Sequence, residues 1–439
     1  MSTGLQMIGH HFSGDGDRTF RAFDPLQQHA LSQEFREATP GETDAALTLA
    51  AQAFTVYKKL TPLQRAAFLN AIAEDIIALG EELITVASTE TGLPIARLQG
   101  ERDRTTNQLR LFADTITEGS WVNARISKGT PDVRQMQIPI GVTGIFGASN
   151  FPLAFSVAGG DTAAALAAGC TVVFKAHPAH PYTSHLVATA IRKAAMRMQM
   201  PEGVFSLIHG ASHETGQYLA AHPLLSAIAF TGSFKGGKAL YDTATRRAVP
   251  IPVYAEMGSV NPVFFLPGIL KEKGNALAAQ LLQSITLGTG QFCTNPGMFI
   301  TPPGDAAVAF TGALQQGIKG MAGGYMLTPG ILDAYNSSIA ALRQQGVQSL
   351  GTAAPAPKQA TPHLLQVTAA QAMENPAVCH EVFGASSLHV NTGSPEELYS
   401  LARTLEGQLT VTIHGTEEDL VGHAGLVAIL REKAGRLIF

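Results

Sequence analysis

Residues 142–175 read VTGIFGASNFPLAFSVAGGDTAAALAAGCTVVFK, and this stretch decides the fold. Its apolar ends, Val142–Gly147 and Thr171–Lys175, predict two strands, and the small-residue segment Ala154–Ala168 predicts a buried helix between them. The stretch is not an uninterrupted apolar run, because Asn150 and several glycines break it. We therefore expect a strand–helix–strand unit and no membrane-spanning helix.

The same alternation continues toward the middle of the chain. Further strands are predicted at Val204–His209, Ala227–Thr231 and Pro252–Glu256, with helices between them. Strands and helices in regular alternation imply right-handed βαβ units and a doubly wound parallel sheet. The predicted fold class is therefore α/β, and a second α/β portion follows residue 256.

Composition narrows the classes of function. The chain has 439 residues, of which 45% are hydrophobic and 15% charged, enough for two or three domains with their own cores. A net charge of -4 does not favour nucleic acid or an anionic membrane as a partner. Three cysteines are too few for a disulfide scaffold, and no basic segment followed by an apolar run marks a signal peptide. We expect a cytoplasmic protein.

One cysteine has the surroundings of a nucleophile. Residues 290–295 read GQFCTN, so Cys293 lies among glycine and polar residues, whereas Cys170 and Cys379 are interpreted as small buried hydrophobes. Useful thiol chemistry needs a base and an oxyanion partner. Glu256 ends a predicted strand, where parallel sheets face their ligands, and could activate a water; the alternative is a solvated carboxylate.

Two features suggest a phosphate-containing ligand. Residues 230–239, FTGSFKGGKA, follow a strand and open a helix, which is the arrangement of a phosphate cradle. They match most of a P-loop, but Ala239 replaces the Ser or Thr that would hold magnesium, so an NTPase remains only as an alternative. Lys175 ends a strand and could bind a cofactor ribose or phosphate; the alternative is a surface lysine.

No metal site is expected. His177 and His180 lie three residues apart, but the sequence places no cysteine or acidic residue beside them. A zinc site needs three or four ligands.

Five short segments, taken in order, resemble the aldehyde dehydrogenase superfamily: SNFP at 149–152, FTGS at 230–233, EMGS at 256–259, GQFC at 290–293 and EVFG at 381–384. The resemblance runs from about residue 20 to the end. Residues 20–25 and 100–106 further resemble the NADP-dependent α-ketoglutaric semialdehyde (2,5-dioxovalerate) dehydrogenases. NADP-preferring fatty aldehyde dehydrogenases show a related pattern.

The resemblance implies a mechanism and a set of site residues. Cys293 would attack the aldehyde, Asn150 would hold the oxyanion and Glu256 would activate the water that hydrolyses the thioester. The cofactor-binding residues implied are Lys175, Gly232, Ser233, Glu381 and Phe383. Many NAD-using members carry a glutamate where this chain has Pro178, so we predict NADP, with NAD possible.

Substrate choice depends on fewer residues. A dicarbonyl acid needs a cation for its carboxylate, and Arg102, Arg104 and Gln108 lie on one predicted helix. Arg104, Gln108 and Phe155 are the substrate-binding candidates; solvated or core roles are their alternatives. The expected substrate is 2,5-dioxovalerate. A fatty or aliphatic aldehyde, or an inactive relative with a binding role, are the alternatives.

The resemblance also implies a domain arrangement. A cofactor-binding domain is expected at 1–118 and 140–252, and a catalytic domain at 253–424. Residues 119–139, a predicted β-hairpin, and 425–439 would be bridging or oligomerisation elements of a homodimer or homotetramer. Family members continue beyond the position of Phe439, so we expect the C-terminal tail to be missing from this sequence.

Overall fold

A computed structural model describes residues 4–439, and two units are distinguished, one ending at Met257 and the other beginning at Gly258. The strands of the first unit are β1 Gln6–Ile8, β2 His11–Ser13, β3 Thr19–Asp24, β4 His29–Arg36, β5 Arg125–Ser127, β6 Val133–Gln135, β7 Val142–Phe146, β8 Thr171–Lys175, β9 Phe205–Ile208, β10 Leu225–Gly232 and β11 Val253–Met257. Its helices are α1 Pro40–Tyr57, α2 Pro62–Ala78, α3 Gly80–Thr91, α4 Ile95–Glu118, α5 Gly160–Ala168, α6 Pro181–Arg197, α7 His213–Ala221 and α8 Phe234–Thr245.

The main sheet of the first unit has the strand order β11-β10-β7-β8-β9-β1-β2. The strands from β11 to β9 pair in parallel, and β7 and β9 are buried along their whole length, as expected for strands covered on both faces. The predicted α/β fold with a doubly wound parallel sheet is confirmed. The sequence pattern did not indicate the β1–β2 hairpin, which adds an antiparallel edge through Met7 and Leu207.

The helix predicted at Ala154–Ala168 is shorter than expected. It begins at Gly160, and the residues before it form a loop. The carboxylate of Glu101 in α4 accepts hydrogen bonds from the backbone N–H groups of Leu153 and Ala154. Because a distant side chain takes these amides, the loop is stable without being helical.

The second unit contains strands β12 Val263–Phe265, β13 Met298–Thr301, β14 Gln348–Thr352, β15 His363–Thr368, β16 Ser386–Asn391, β17 Gln408–His414 and β18 Ala434–Ile438. Its helices are α9 Pro267–Thr286, α10 Asp305–Gly317, α11 Pro329–Gln344, α12 Ala369–Glu374, α13 Pro395–Thr404, α14 Glu417–Gly422 and α15 Ala424–Arg431. The strand order is β14-β15-β16-β13-β12-β17-β18, with β14 antiparallel to β15.

Alternating side chains fill the two faces of this second sheet. Phe264 packs in a cluster with Met298 and Ile300, whereas Phe265 and Phe299 pack on the opposite face. Successive strand residues point to opposite faces, so a strand such as β12, apolar at every position, must be covered on both sides. Burying each such phenylalanine contributes about 1.5–3 kcal/mol.

The hairpin of β5 and β6 is exposed throughout. Ile126, Val133 and Ile138 present 66%, 59% and 74% of their surface to solvent, which makes this an apolar surface patch. Within residues 4–439, no helix combines the length and apolar character needed to cross a bilayer, and no cluster of three or more metal-ligating side chains is found.

Candidate active site

Four of the predicted site residues lie at the carboxyl ends of neighbouring parallel strands in the first unit. One row of paired residues crosses the sheet through Lys175, Phe146, Phe230 and Ala255, and Glu256 is the next residue along β11. Ser233 follows β10 directly, and the loop containing Asn150 follows β7. The sheet thus brings Lys175, Ser233, Glu256 and Asn150 to the edge where open α/β sheets bind ligands.

The loop around Asn150 is held by side chains from α4. Nη2 of Arg97 donates to the Asn150 carbonyl oxygen at 2.8 Å, and Oε1 of Glu101 accepts from the amides of Leu153 and Ala154 at 2.8 and 3.0 Å. Arg97 and Glu101 are one helical turn apart, so a single face of α4 holds both ends of the loop segment. The sequence analysis missed both residues; the signal that could have indicated them is their i, i+4 spacing.

A buried histidine holds the residue at the start of the same loop. Nε2 of His180 lies 2.9 Å from the carbonyl oxygen of Ala148, and Nδ1 lies 3.3 Å from Oγ of Ser184. Burial lowers the pKa of His180, so the ring is neutral and can donate one hydrogen bond and accept another. His180 therefore holds the start of this loop in place through its contacts with Ala148 and Ser184.

The start of α8 has the character of an anion site. Ser233 caps the helix by accepting from the amide of Gly236 at 3.2 Å, and Ser233, Phe234 and Lys235 at its start are exposed. A Cβ at Gly232 would lie 2.7 Å from the ring of Phe230, so a larger residue would crowd this turn. Exposed amides at a helix N-terminus favour a phosphate, and these residues fit the diphosphate of a dinucleotide.

The charges near this site come from lysine and glutamate. Lys175 is half-buried, and burial lowers its pKa to about 8, an effect that the nearby Glu37 opposes. Lys238, the lysine of the P-loop-like pattern, instead donates to Asp242 one turn along α8. Glu256 is half-buried. The pKa of Asp161 is raised mainly by burial of its carboxyl group and secondly by the negative charge of Glu256.

In the second unit, Cys293 follows a tight turn. Gly288, Thr289 and Gly290 all have left-handed backbone angles, with φ of 54°, 61° and 68°. Gly290 faces the carbonyl of Gly384 so closely that no Cβ could fit. Oε1 of Gln291 accepts from the amide of Leu327 at 2.9 Å, and Cys293 itself is half-buried. The turn presents the thiol from a segment whose backbone is tightly held.

Glu381 and Phe383 lie in the segment that packs against this turn, and both are half-buried. Burial raises the pKa of Glu381 to about 7, while a hydrogen bond from the backbone of Ser259 opposes the shift. A Cβ at Gly258 would come within 2.6 Å of the Glu381 carboxylate, so a glycine leaves that group room. A half-buried carboxylate suits the hydroxyls of a ribose.

The predicted substrate residues are partly brought together. Arg104 is exposed and stacks its guanidinium over the rings of Phe155 and Phe151, at 4.8 and 5.8 Å from their centroids. Arg102 instead bonds Asp103 at 3.1 Å. Gln108 lies half-buried one turn farther along α4. Among the candidates, only Arg104 and Phe155 are shown in contact within the described residues.

The other two cysteines have the environments expected of structural residues. Cys170 is 3% exposed, and burial raises the pKa of Cys379 to about 11. A thiol with so high a pKa is a poor nucleophile near neutral pH.

The sequence of the chain is similar to those of known aldehyde dehydrogenases. The sequence profile of the aldehyde dehydrogenase family matches residues 12–344. The chain is 44% identical to α-ketoglutaric semialdehyde dehydrogenase 2 of Azospirillum brasilense over 448 residues, covering 99% of this chain and 85% of the relative. It is also 44% identical to α-ketoglutaric semialdehyde dehydrogenase of Acinetobacter baylyi over 450 residues, covering 100% and 85%.

Solved structures match at the level of the fold. A mutant of aldehyde dehydrogenase C from Pseudomonas syringae, in complex with NAD+ and octanal, superposes with a TM-score of 0.84 at 21% identity, covering 100% of this chain and 89% of the other. Gamma-glutamyl-gamma-aminobutyraldehyde dehydrogenase from Burkholderia cenocepacia gives a TM-score of 0.84 at 22% identity, covering 99% and 88%.

Proposed function

We propose that this chain, which belongs to the aldehyde dehydrogenase family, oxidises 2,5-dioxovalerate to 2-oxoglutarate with NADP. Enzymes of the family oxidise aldehydes to carboxylic acids with a nicotinamide cofactor. The observation that supports this choice of substrate is the 44% identity, along nearly the whole chain, to two α-ketoglutaric semialdehyde dehydrogenases.

The proposed chemistry begins at Cys293. Its thiol gives up its proton to solvent, its sulfur bonds to the aldehyde carbon, and the electron pair of the C=O π bond moves to oxygen. The side-chain amide of Asn150 and the backbone N–H of Cys293 stabilise that oxygen, each such donor contributing about 3–4 kcal/mol to lowering the barrier. NADP, when bound, would supply the hydride acceptor, which would leave a thioester on Cys293.

Glu256 completes the proposed reaction. Its carboxylate takes a proton from water as the water oxygen attacks the thioester carbon. The carbon–sulfur bond then breaks, the carboxylic acid leaves, and the cysteine is regenerated with its proton. Removing Glu256 would therefore leave the first half of the reaction intact and slow the second.

The preference for NADP rests on charge. Pro178 carries no carboxylate that would repel a 2′-phosphate, and Lys175 supplies a nearby cation. Burial lowers the pKa of His177 well below its usual value, with His180 and Lys175 adding to the shift, so this imidazole is neutral. Lys175 is thus the cation that we assign to the phosphates and ribose of NADP, with Ser233, Gly232, Glu381 and Phe383 as the other contacts.

Arg104 is proposed to bind the substrate carboxylate. The two phenylalanine rings hold its guanidinium by cation–π contacts, and the residue is exposed. A planar guanidinium can form paired, charge-assisted hydrogen bonds with a carboxylate. A fatty aldehyde has no carboxylate, so Arg104→Met should lower kcat/KM for 2,5-dioxovalerate far more than for hexanal.

We also propose that the cofactor-binding and catalytic regions follow the expected boundaries, 1–118 with 140–252 and 253–424, in a cytoplasmic homodimer or homotetramer. The exposed apolar hairpin at 119–139 supports self-association, because surface patches of this kind mark interfaces. Sedimentation of a variant that carries both Ile126→Lys and Ile138→Lys tests this. The double variant should sediment as a monomer, and an unchanged assembly would exclude the hairpin as the oligomer interface.

The experiment that tests the function follows absorbance at 340 nm with 2,5-dioxovalerate or hexanal and NADP or NAD. Cys293→Ala should abolish the signal, and Cys170→Ala, at a buried cysteine, is the matched control that should retain it. Highest kcat/KM with 2,5-dioxovalerate and NADP would support the proposal. A folded, NADP-binding protein that oxidises only hexanal would refute the substrate, and higher kcat/KM with NAD would refute the cofactor preference.

A further inference from the structure

A buried asparagine in the second unit connects three segments that are distant in sequence. Asn261 lies just before β12, is 3% exposed and has a left-handed φ of 51°. Its backbone N–H donates to Oε1 of Gln408 at 3.2 Å. Asparagine tolerates this backbone conformation better than most residues, so the position has both a strained backbone and a buried polar side chain.

The two ends of the Asn261 amide have different partners. Oδ1 accepts from the backbone N–H and the hydroxyl of Thr410, at 3.3 and 3.1 Å, and from the hydroxyl of Ser259 at 2.8 Å. Nδ2 donates to the carbonyl oxygens of Cys293 and Asn295 at 2.8 and 2.9 Å. A backbone amide can only donate, so the Thr410 N–H assigns the oxygen end and leaves the NH2 group for the two carbonyls.

We propose that Asn261 is a positioning residue for the nucleophile. This inference rests on the proposed function, in which Cys293 attacks the aldehyde. Two carbonyls held by one NH2 group fix the Cys293–Thr294 and Asn295–Pro296 peptide planes. The direction of the Cys293 side chain follows from that backbone, and a displacement of about 1 Å in a reacting group can cost about 100-fold in rate.

Two variants separate this role from general stability. Asn261→Gly accepts the left-handed φ and removes both donors, whereas Asn261→Asp keeps the shape and replaces the donor end with an oxygen. Thr410→Val is the matched control, because it removes one hydrogen bond from the same asparagine but leaves the donations to Cys293 and Asn295. The thermal midpoint of each variant reports on folding.

The first measurement is the rate at which iodoacetamide alkylates Cys293, read by mass spectrometry of the peptide as a function of pH. Cys379, in the same unit, is the internal reference. In both Asn261 variants, we expect iodoacetamide to alkylate Cys293 at least about fivefold more slowly, while the alkylation rate of Cys379 stays unchanged. The kcat/KM for the aldehyde should fall about 100-fold. The Kd for NADP should stay within about twofold, and Thr410→Val should stay near the parent in every measurement.

Two results would overturn the proposal. One is parental alkylation of Cys293 in the Asn261 variants. The other is a loss in Thr410→Val that equals theirs and follows the thermal midpoint, since that would show a purely structural role. If Asn261→Asp does not fold, Asn261→Gly decides alone. The alkylation result needs no turnover, so it remains decisive even if the parent protein fails to oxidise 2,5-dioxovalerate and the proposed function is wrong.

Discussion

At the scale of single residues, the loop that carries Asn150 depends on two side chains of α4. Arg97 donates to the carbonyl of Asn150, and Glu101, 5% exposed, accepts from two amides farther along. The charges of Arg97 and Glu101 also favour each other. Since Arg97 contacts the backbone of Asn150, its effect on the reaction should pass through that residue.

We therefore predict that Arg97→Ala lowers kcat/KM for the aldehyde by about 10- to 100-fold, and that little further loss appears when Asn150→Ala already removes the oxyanion donor. A double-mutant cycle measures this coupling. Arg97→Lys, which keeps the charge but loses the planar guanidinium, is the control for simple electrostatics. Additive losses would show that Arg97 acts independently of Asn150.

A second prediction at this scale concerns Lys175, whose pKa burial lowers to about 8. The protonated amine attracts the phosphates of NADP, and it is lost as pH rises above this pKa. The Kd for NADP should therefore increase above about pH 8, by up to about tenfold per pH unit if the charge is required. Lys175→Met should bind weakly at every pH, and the same rise with pH in that variant would assign the effect to another group.

At the scale of elements, four aromatic rings connect β2, β4, α6 and the end of β9. Phe12 stacks with His185, His185 with His209, and His209 contacts Phe35, with centroids 5.9, 6.3 and 5.2 Å apart. Burial lowers the pKa of His185 to about 4 and of His209 to about 3. Neither ring nitrogen of His209 has a hydrogen-bond partner among residues 4–439.

These neutral histidines should make the fold acid-sensitive. Because their pKa is lower in the folded chain than the unfolded value of about 6.5, the unfolded chain binds more protons, and stability is lost as pH falls below about 6.5. His209→Leu should reduce the difference in unfolding free energy between pH 7.5 and pH 5 by about 2 kcal/mol. Denaturant melts measure this, with exposed His29→Leu as the control. An unchanged difference would exclude His209 as the titrating group.

At the scale of the whole molecule, ligand binding should change the stability of the chain by mass action. A ligand that binds only the folded state at 100 times its Kd adds about 2.7 kcal/mol. NADP should therefore raise the thermal midpoint by a few degrees, and NAD at the same concentration by less. Differential scanning fluorimetry measures both. A shift with NADP that survives in Lys175→Met would contradict our assignment of the cation.

Much of the fold was predictable because its signals are local. The apolar runs at Val142–Phe146 and Thr171–Lys175 are strands of nearly the predicted length, since short buried strands have a composition that the sequence displays directly. Membership of the aldehyde dehydrogenase family was likewise indicated by short motifs in order, and the family comparison confirms it. The roles of Cys293, Glu256 and Asn150 remain predictions.

The sequence by itself determined the alternation of strands and helices, the family and the candidate catalytic residues. Each of these is recognised from a pattern in a few consecutive residues. Only the tertiary structure decided the strand order, the antiparallel edge at Met7, and the contacts of Arg97 with Asn150 and of Asn261 with Cys293 and Thr410. The partners in these three hydrogen bonds are 32 to 149 residues apart. A hydrogen bond depends on where folding brings a donor and an acceptor, and no local periodicity encodes that distance.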